Sequence, residues 1–211
     1  MEAEIYNSMS KRKVTIVDYG MGNIWSVISA LNYLNVEVKV SDSPKEILLS
    51  ETLLLPGVGS FRKAMDTLRR LNLDRAIIDS VQGKQHKILG ICLGMQLLCS
   101  YSEENNTPCL SVFDERVVSF LPNGTDKIPQ VGWNTISGYG STLFNGLVPD
   151  AYCYFVHGYY AALGPDTIAT THYILPYSAA LQKNNFYGVQ FHPEKSAAVG
   201  EKILQNFLDI K

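Results

Sequence analysis

No apolar run in this 211-residue chain reaches the roughly 20 residues needed to cross a bilayer; the longest, Ile88 to Cys99, is well short of that. Cysteine is scarce: Cys92, Cys99, Cys109 and Cys153 stand at irregular spacings without a C-x-x-C pair. That pattern excludes a disulfide scaffold and a zinc ribbon. Charge of one sign is lacking too, with 18 Lys plus Arg against 20 Asp plus Glu and a net charge of -2. Such a chain has no positive field to draw in a phosphate backbone. The first dozen residues, MEAEIYNSMSKR, hold two glutamates and no apolar core, unlike a secretory signal, so a reducing cytoplasmic setting is expected. Met9, just before Ser10-Lys11-Arg12-Lys13, is a second candidate start.

What is present is ordinary globular composition, 46% hydrophobic and 18% charged, in a length that suits one domain. Val14-Thr15-Ile16-Val17 is a β-branched run ending at a turn. Ile24, Val27, Ile28, Leu31 and Leu34 follow at helical spacing, with Asn23 as N-cap. Val36, Val38 and Val40 alternate as a strand, and Thr52 to Leu55 is a third strand cut by Pro56. Helices are expected near Phe61 to Leu71 and Leu73 to Val81, a fourth strand over Lys87 to Ile91, and a helix over Leu93 to Tyr101. The second half is strand-rich, over Arg116 to Phe120, Tyr152 to His157, Thr167 to Ile174 and Phe186 to Phe191, before a closing helix at Ala198 to Ile210. Strands alternating with helices predict a single α/β domain, residues 13–211, with a mostly parallel central sheet flanked by helices. Residues 1–12 are expected to be a tail.

Gly90-Ile91-Cys92-Leu93-Gly94 sets a cysteine between glycines where a strand meets a helix, the nucleophile-elbow arrangement with sulfur in place of oxygen. The nucleophile there occupies a sharp turn that flanking side chains would crowd. A helix N-terminus also carries about half a positive charge, which favours negative charge on sulfur. Cys99, Cys109 and Cys153 have no such setting and are expected to be structural.

Such a nucleophile needs a base that also protonates the leaving group, and the chain holds four histidines. His86 sits on a polar stretch, and His172 lies in an alternating strand without an acidic neighbour. His157 either lines a cleft or ends a strand. His192, in Phe191-His192-Pro193-Glu194, has a carboxylate two residues on, and residues i and i+2 of an extended segment project to one side. Cys92, His192 and Glu194 therefore make a triad.

Six ordered segments carry a family resemblance: Asp18-Tyr-Gly-Met-Gly-Asn23, Leu55-Pro-Gly-Val-Gly59, Gly90-Ile-Cys-Leu-Gly-Met-Gln96, Val131-Gly-Trp-Asn134, Tyr154-Phe-Val-His157 and Val189-Gln-Phe-His-Pro-Glu194. The chain resembles the class I glutamine amidotransferases, and among them the glutaminase subunits of imidazole glycerol phosphate synthases, from about Lys13 to Phe207. The resemblance implies a flavodoxin-like fold and nucleophilic attack by Cys92 on the glutamine side-chain amide. It implies an oxyanion site from the backbone of Gly57, Val58, Gly59 and Leu93, and substrate contacts from Gln96 and Glu104. Asn23, Trp133, Tyr154 and Lys195 would face the synthase partner, a (β/α)₈ cyclase joined as a heterodimer. Read alone, Lys195 is a solvated charge and Trp133 a packed aromatic.

The chain departs from the family pattern at Thr107 to Asp114, where glycine is usual, and at Gln130, where histidine often stands. A glutaminase feeding ammonia to surface-sugar amidation stays open as an alternative, as do a cysteine hydrolase and a non-catalytic homologue. No cofactor and no metal are expected: Gly20-Met21-Gly22 fails the dinucleotide pattern because Trp25 takes the third glycine position.

Overall fold

The computed structural model describes residues 12–83 and 86–211. Residues 1–11 of the expected tail lie outside the described residues. Arg12, placed with that tail by the sequence, joins the domain instead. Its carbonyl accepts from Glu37 N at 2.8 Å and its guanidinium pairs with Asp209 at 2.6 Å.

The first half lays down four parallel strands, β1 (Lys13–Val17), β2 (Glu37–Ser41), β3 (Thr52–Gly57) and β4 (Lys87–Cys92). Between and after them run α1 (Ile24–Tyr33), α2 (Pro44–Leu49), α3 (Phe61–Arg70), α4 (Leu73–Val81) and α5 (Leu93–Leu98). The second half contributes β5 (Tyr101–Ser102), β6 (Thr107–Pro108), β7 (Arg116–Ser119), β8 (Gln130–Ile136), β9 (Ala151–His157), β10 (Tyr159–Ala161), β11 (Thr167–Tyr173), β12 (Leu175–Lys183), β13 (Phe186–Val189) and α6 (Ala197–Asp209).

Seven strands form the central sheet in the order β11-β12-β13-β4-β3-β1-β2. The pairings from β13 through β4, β3 and β1 to β2 are parallel; those of β11 with β12 and β12 with β13 are antiparallel. Side-chain alternation sorts the core onto the two faces. Leu54, Leu89 and Ile91 pack with α1 and α6 on one face, while Leu53, Leu55 and Ile88 pack with α3, α4 and α5 on the other. A strand buried on both faces reads as a continuous apolar run, which is why β3 and β4 stand out in the sequence. A four-stranded sheet, β10-β7-β5-β6, and a two-stranded ribbon, β8-β9, complete the domain.

Several boundaries differ from the sequence expectation by a few residues, and two of the differences bear on the site. The third strand is not cut at Pro56 but runs on to Gly57, which pairs with Cys92. Pro56 lies beyond the last β1 partner, so its missing N–H breaks no ladder bond, and its carbonyl accepts from the Tyr19 hydroxyl at 2.8 Å. The helix expected to reach Tyr101 stops at Leu98. Its last carbonyls are taken by the returning chain, with Leu110 N donating to Leu97 O and both Val112 N and Phe113 N to Leu98 O. Tertiary donors thus replace the next helical turn.

Candidate active site

Ligands of open α/β sheets bind beyond the carboxyl ends of the parallel strands, and that edge of the sheet is where the sequence places its chemistry. β4 ends at Cys92, which opens α5 with φ 55° and ψ −109°, a strained backbone for a non-glycine residue. The turn can be this tight because its neighbours lack side chains. A Cβ on Gly90 would lie 2.7 Å from the Gly94 carbonyl oxygen.

β13, on the other side of β4, leads to Gln190 and His192. His192 is almost fully buried and donates from Nδ1 to Glu194 Oε1 at 2.8 Å, which leaves its other ring nitrogen for the sulfur of Cys92. Burial by itself would lower the His192 pKa; hydrogen bonding to Cys92 and to Glu194 outweighs it and raises the value to about 10. The backbone holds the ring as well, since His192 N donates to Tyr154 O at 2.8 Å and Ser196 Oγ donates to His192 O at 2.6 Å. Glu194 Oε2 is buried and has no partner among the described residues.

Around the sulfur lies a cleft of about 340 Å³ lined by Val58, Gly59, Cys92, Leu93, Gln96, Glu104, Val156, His157, Gly158, Tyr159, His192 and Lys195. Its size falls within the usual ~300–1,000 Å³ of small-molecule sites. A larger surface hollow of about 550 Å³ borders Arg12, Lys13 and Lys87 near the opposite ends of the strands and is lined by neither cysteine nor histidine.

The expected site residues converge with differing closeness. The cleft gathers the Cys92–His192 pair, the Val58-Gly59 segment, Leu93, Gln96 and Glu104, with Glu194 held behind His192. One oxygen of Glu104 is already committed to Phe61 N at 3.0 Å, at the start of α3. Gln96 is anchored by Nε2, which donates to Tyr159 O and to Gln190 Oε1, both at 2.7 Å. Lys195, assigned by resemblance to the partner face, lines this cleft as well. Trp133 and Tyr154 pair across the ribbon with ring centroids 5.9 Å apart, and Trp133 is 53% exposed. Asn23 caps α1 by accepting from Ser26 N at 3.4 Å, and its neighbour Gly22 faces Pro56, the residue before the expected oxyanion segment.

Three contributors carried no clear signal in the sequence. Gln190 is fully buried, with Nε2 3.8 Å from Cys92 Sγ. Tyr19 holds the carbonyl that precedes Gly57. His157 resolves as a cleft residue, buried and bonded to Tyr159 and Tyr177. Gln190 and Tyr19 do lie inside motif segments, but nothing in their spacing separates them from packing residues. The other cysteines are buried and free, and burial pushes the Cys109 and Cys153 thiols up to about 12. That keeps them as inert thiols.

A strained cysteine at a strand–helix turn, a buried histidine facing it and a carboxylate behind that histidine match the arrangement of nucleophile, proton carrier and orienting group that acyl transfer uses. The glutamine amidotransferase class-I family profile matches residues 15–210, and the chain belongs to that family. Relatives narrow the comparison. The imidazole glycerol phosphate synthase subunit HisH of Bacteroides fragilis is 45% identical over 199 residues, covering 94% of this chain and 100% of that protein. HisH of Escherichia coli K12 is also 45% identical over 199 residues, covering 93% and 99%. Among solved structures, PurLQS from Thermotoga maritima superposes with a TM-score of 0.72 at 17% identity over 95% of this chain and 99% of that one, a likeness of fold alone.

Proposed function

We propose that the chain is the glutamine-hydrolysing subunit of an imidazole glycerol phosphate synthase, releasing ammonia from glutamine for a cyclase partner in histidine biosynthesis. The observation that carries this reading is the Cys92–His192–Glu194 arrangement at the cleft, in a chain 45% identical to HisH proteins over nearly its whole length.

Cys92 Sγ attacks the side-chain carbonyl of glutamine while His192, its pKa raised to about 10, already carries the proton of the pair. The tetrahedral oxyanion is met by backbone N–H groups of Leu93 and of the Gly57-Val58-Gly59 segment. Collapse breaks the C–N bond, His192 returns the proton to the leaving nitrogen, and ammonia departs from a glutamyl thioester. Water, deprotonated by the same His192, then attacks the thioester and releases glutamate with the thiol restored. Gln96 and Glu104 hold the amino-acid end of the substrate. Glu194 keeps the imidazole oriented throughout.

The HisH relatives are subunits of imidazole glycerol phosphate synthase, which supports a partner subunit as the receiver of the ammonia. The face offered to that partner is the outer side of the β8–β9 ribbon, where Val131, Trp133 and Tyr152 are all more than half exposed. Tyr154 on the same face joins the ribbon to His192 through its carbonyl. A (β/α)₈ cyclase seated there, with Asn23 and Lys195 at the joint, forms the heterodimer of this reading, in the cytoplasm. The glycines flanking Val58 let its peptide turn toward the oxyanion when the partner is loaded. The test measures glutamine hydrolysis by the chain alone, with the cyclase, and with the cyclase holding its acceptor ligand. Turnover that rises only in the last case supports the reading. Full turnover by the isolated chain refutes the coupling and favours an uncoupled hydrolase.

A further inference from the structure

Behind the cleft runs a buried chain of polar side chains that the triad does not use. Tyr177, fully buried in β12, has one hydroxyl hydrogen and two acceptors within reach: Gln130 Oε1 at 2.7 Å and His157 Nε2 at 3.1 Å. Both bonds cannot draw on that one hydrogen.

The other end of the chain settles its direction. His157 Nδ1 lies 2.7 Å from the Tyr159 carbonyl oxygen, which can only accept, so Nδ1 carries a hydrogen. Burial, reinforced by nearby His192 against a stabilising bond to Tyr159, lowers the His157 pKa to about 4. The ring is therefore neutral, Nε2 is bare, and the Tyr177 hydroxyl donates to it. The Tyr177 oxygen then accepts, and two side chains face it: Thr171, its cross-strand partner, whose hydroxyl can donate, and Gln130, whose Oε1 at 2.7 Å would otherwise oppose it. Gln130 donates as well when its amide is turned about the Cγ–Cδ bond to present nitrogen, a change that leaves its outline the same. Donation runs from Gln130 to Tyr177, to His157, to the Tyr159 carbonyl.

That carbonyl also accepts from Gln96 Nε2 at 2.7 Å, and Gln96 gives its second amide hydrogen to Gln190 Oε1. With both hydrogens committed, Gln96 meets a ligand as an acceptor through Oε1. The relay starts on β8, where Gln130 stands in register with His157 across the ribbon, and it ends on the wall of the cleft. We infer that Gln130 and Tyr177 are positioning residues for the glutamine-binding wall, fixing the tautomer of His157 and, through the Tyr159 carbonyl they share, the orientation of Gln96. This rests on the cleft being the glutamine site.

The experiment compares steady-state glutamine hydrolysis by the complex with its cyclase for the unaltered chain, Tyr177→Phe, Gln130→Leu and the double variant. Tyr177→Phe leaves His157 Nε2 unpaired and Gln130→Leu removes the amide that orders the Tyr177 hydroxyl, which predicts a rise in KM for glutamine of about tenfold with kcat within about twofold. Members of one relay are coupled, so the double variant should be hardly worse than either single one. An unchanged KM overturns the inference. So does a parallel loss of kcat, KM and melting temperature that adds up in the double variant, because that is packing rather than positioning. ¹⁵N shifts of the His157 ring give a readout free of activity: the Nδ1–H tautomer is expected in the unaltered chain and a mixture in Tyr177→Phe. An Nε2–H tautomer in the unaltered chain overturns the hydrogen order. Failure of the unaltered complex to hydrolyse glutamine at all overturns the functional reading, while the tautomer still tests the relay.

Discussion

A Cβ added to Gly94 would stand 1.7 Å from the Leu55 carbonyl oxygen, so the first turn of α5 rests directly on the backbone of β3. This contact joins the helix that Cys92 opens to the strand that continues into Gly57-Val58-Gly59. Gly94→Ala must push the two apart. It should destabilise the chain by at least about 2–3 kcal/mol and abolish hydrolysis, as read by urea unfolding and turnover. A stable, fully active Gly94→Ala chain would contradict the packing.

Gly57 sits in a comparable vice. A Cβ there would lie 2.4 Å from the Tyr19 hydroxyl and 2.9 Å from Leu93 Cβ. Gly57→Val should therefore displace the oxyanion segment and lower kcat by about 10²–10³, the usual cost of one lost oxyanion donor. Tyr19→Phe, which removes only the bond to Pro56 O, should lower it by about tenfold with little change in KM.

Cys92→Ala should eliminate glutamine hydrolysis while leaving synthesis by the complex intact when ammonia is supplied directly. On the proposed reading Cys92 frees the ammonia, and the partner uses it. Cys92→Gly should be the more stable of the two variants by about 1 kcal/mol, because φ 55° with ψ −109° costs a residue with a side chain and costs glycine little. Equal melting of the two would argue that the elbow stores no strain.

Two histidines predict opposite limbs of a stability–pH curve. His157 has its folded pKa lowered to about 4, so its contribution is full above pH 6.5 and is lost as pH falls through 4. The size is on the order of 3 kcal/mol. His192 has its folded pKa raised to about 10, so its contribution is full below pH 6.5 and is lost as pH rises through 10. Unfolding measured from pH 4 to pH 10 should show His157→Gln flattening the acid limb and His192→Gln the alkaline one. Unchanged limbs would refute the assignments.

Trp133→Ala should weaken cyclase binding by about tenfold or more, since exposed aromatic anchors dominate interfaces. In the isolated chain Trp133 is half exposed and makes an edge contact with Tyr154, so its stability should change by under about 1.5 kcal/mol. Binding titration and thermal unfolding separate the two effects, and unchanged affinity would move the partner off the ribbon.

Much of the molecule was legible from residue order because it depends on local rules. The apolar runs of β3 and β4, the helical spacing behind Asn23 and the cysteine between Gly90 and Gly94 announce themselves within a few residues. So does His192-Pro-Glu194, whose i and i+2 side chains are neighbours in any extended segment. Strand β12 did not announce itself: Leu175–Lys183 holds a proline and a run of small residues, and becomes a strand because β11 and β13 flank it. The helix end at Leu98 was decided by amides of residues 110–113, beyond the reach of any local pattern. Residue order also left His157 undecided between a cleft and a strand end, and gave no task to Gln130, Tyr177 or Gln190. A hydrogen bond has a direction only when both partners are in place, and these partners lie 20 to 98 residues apart along the chain. Folding alone brought them into one line.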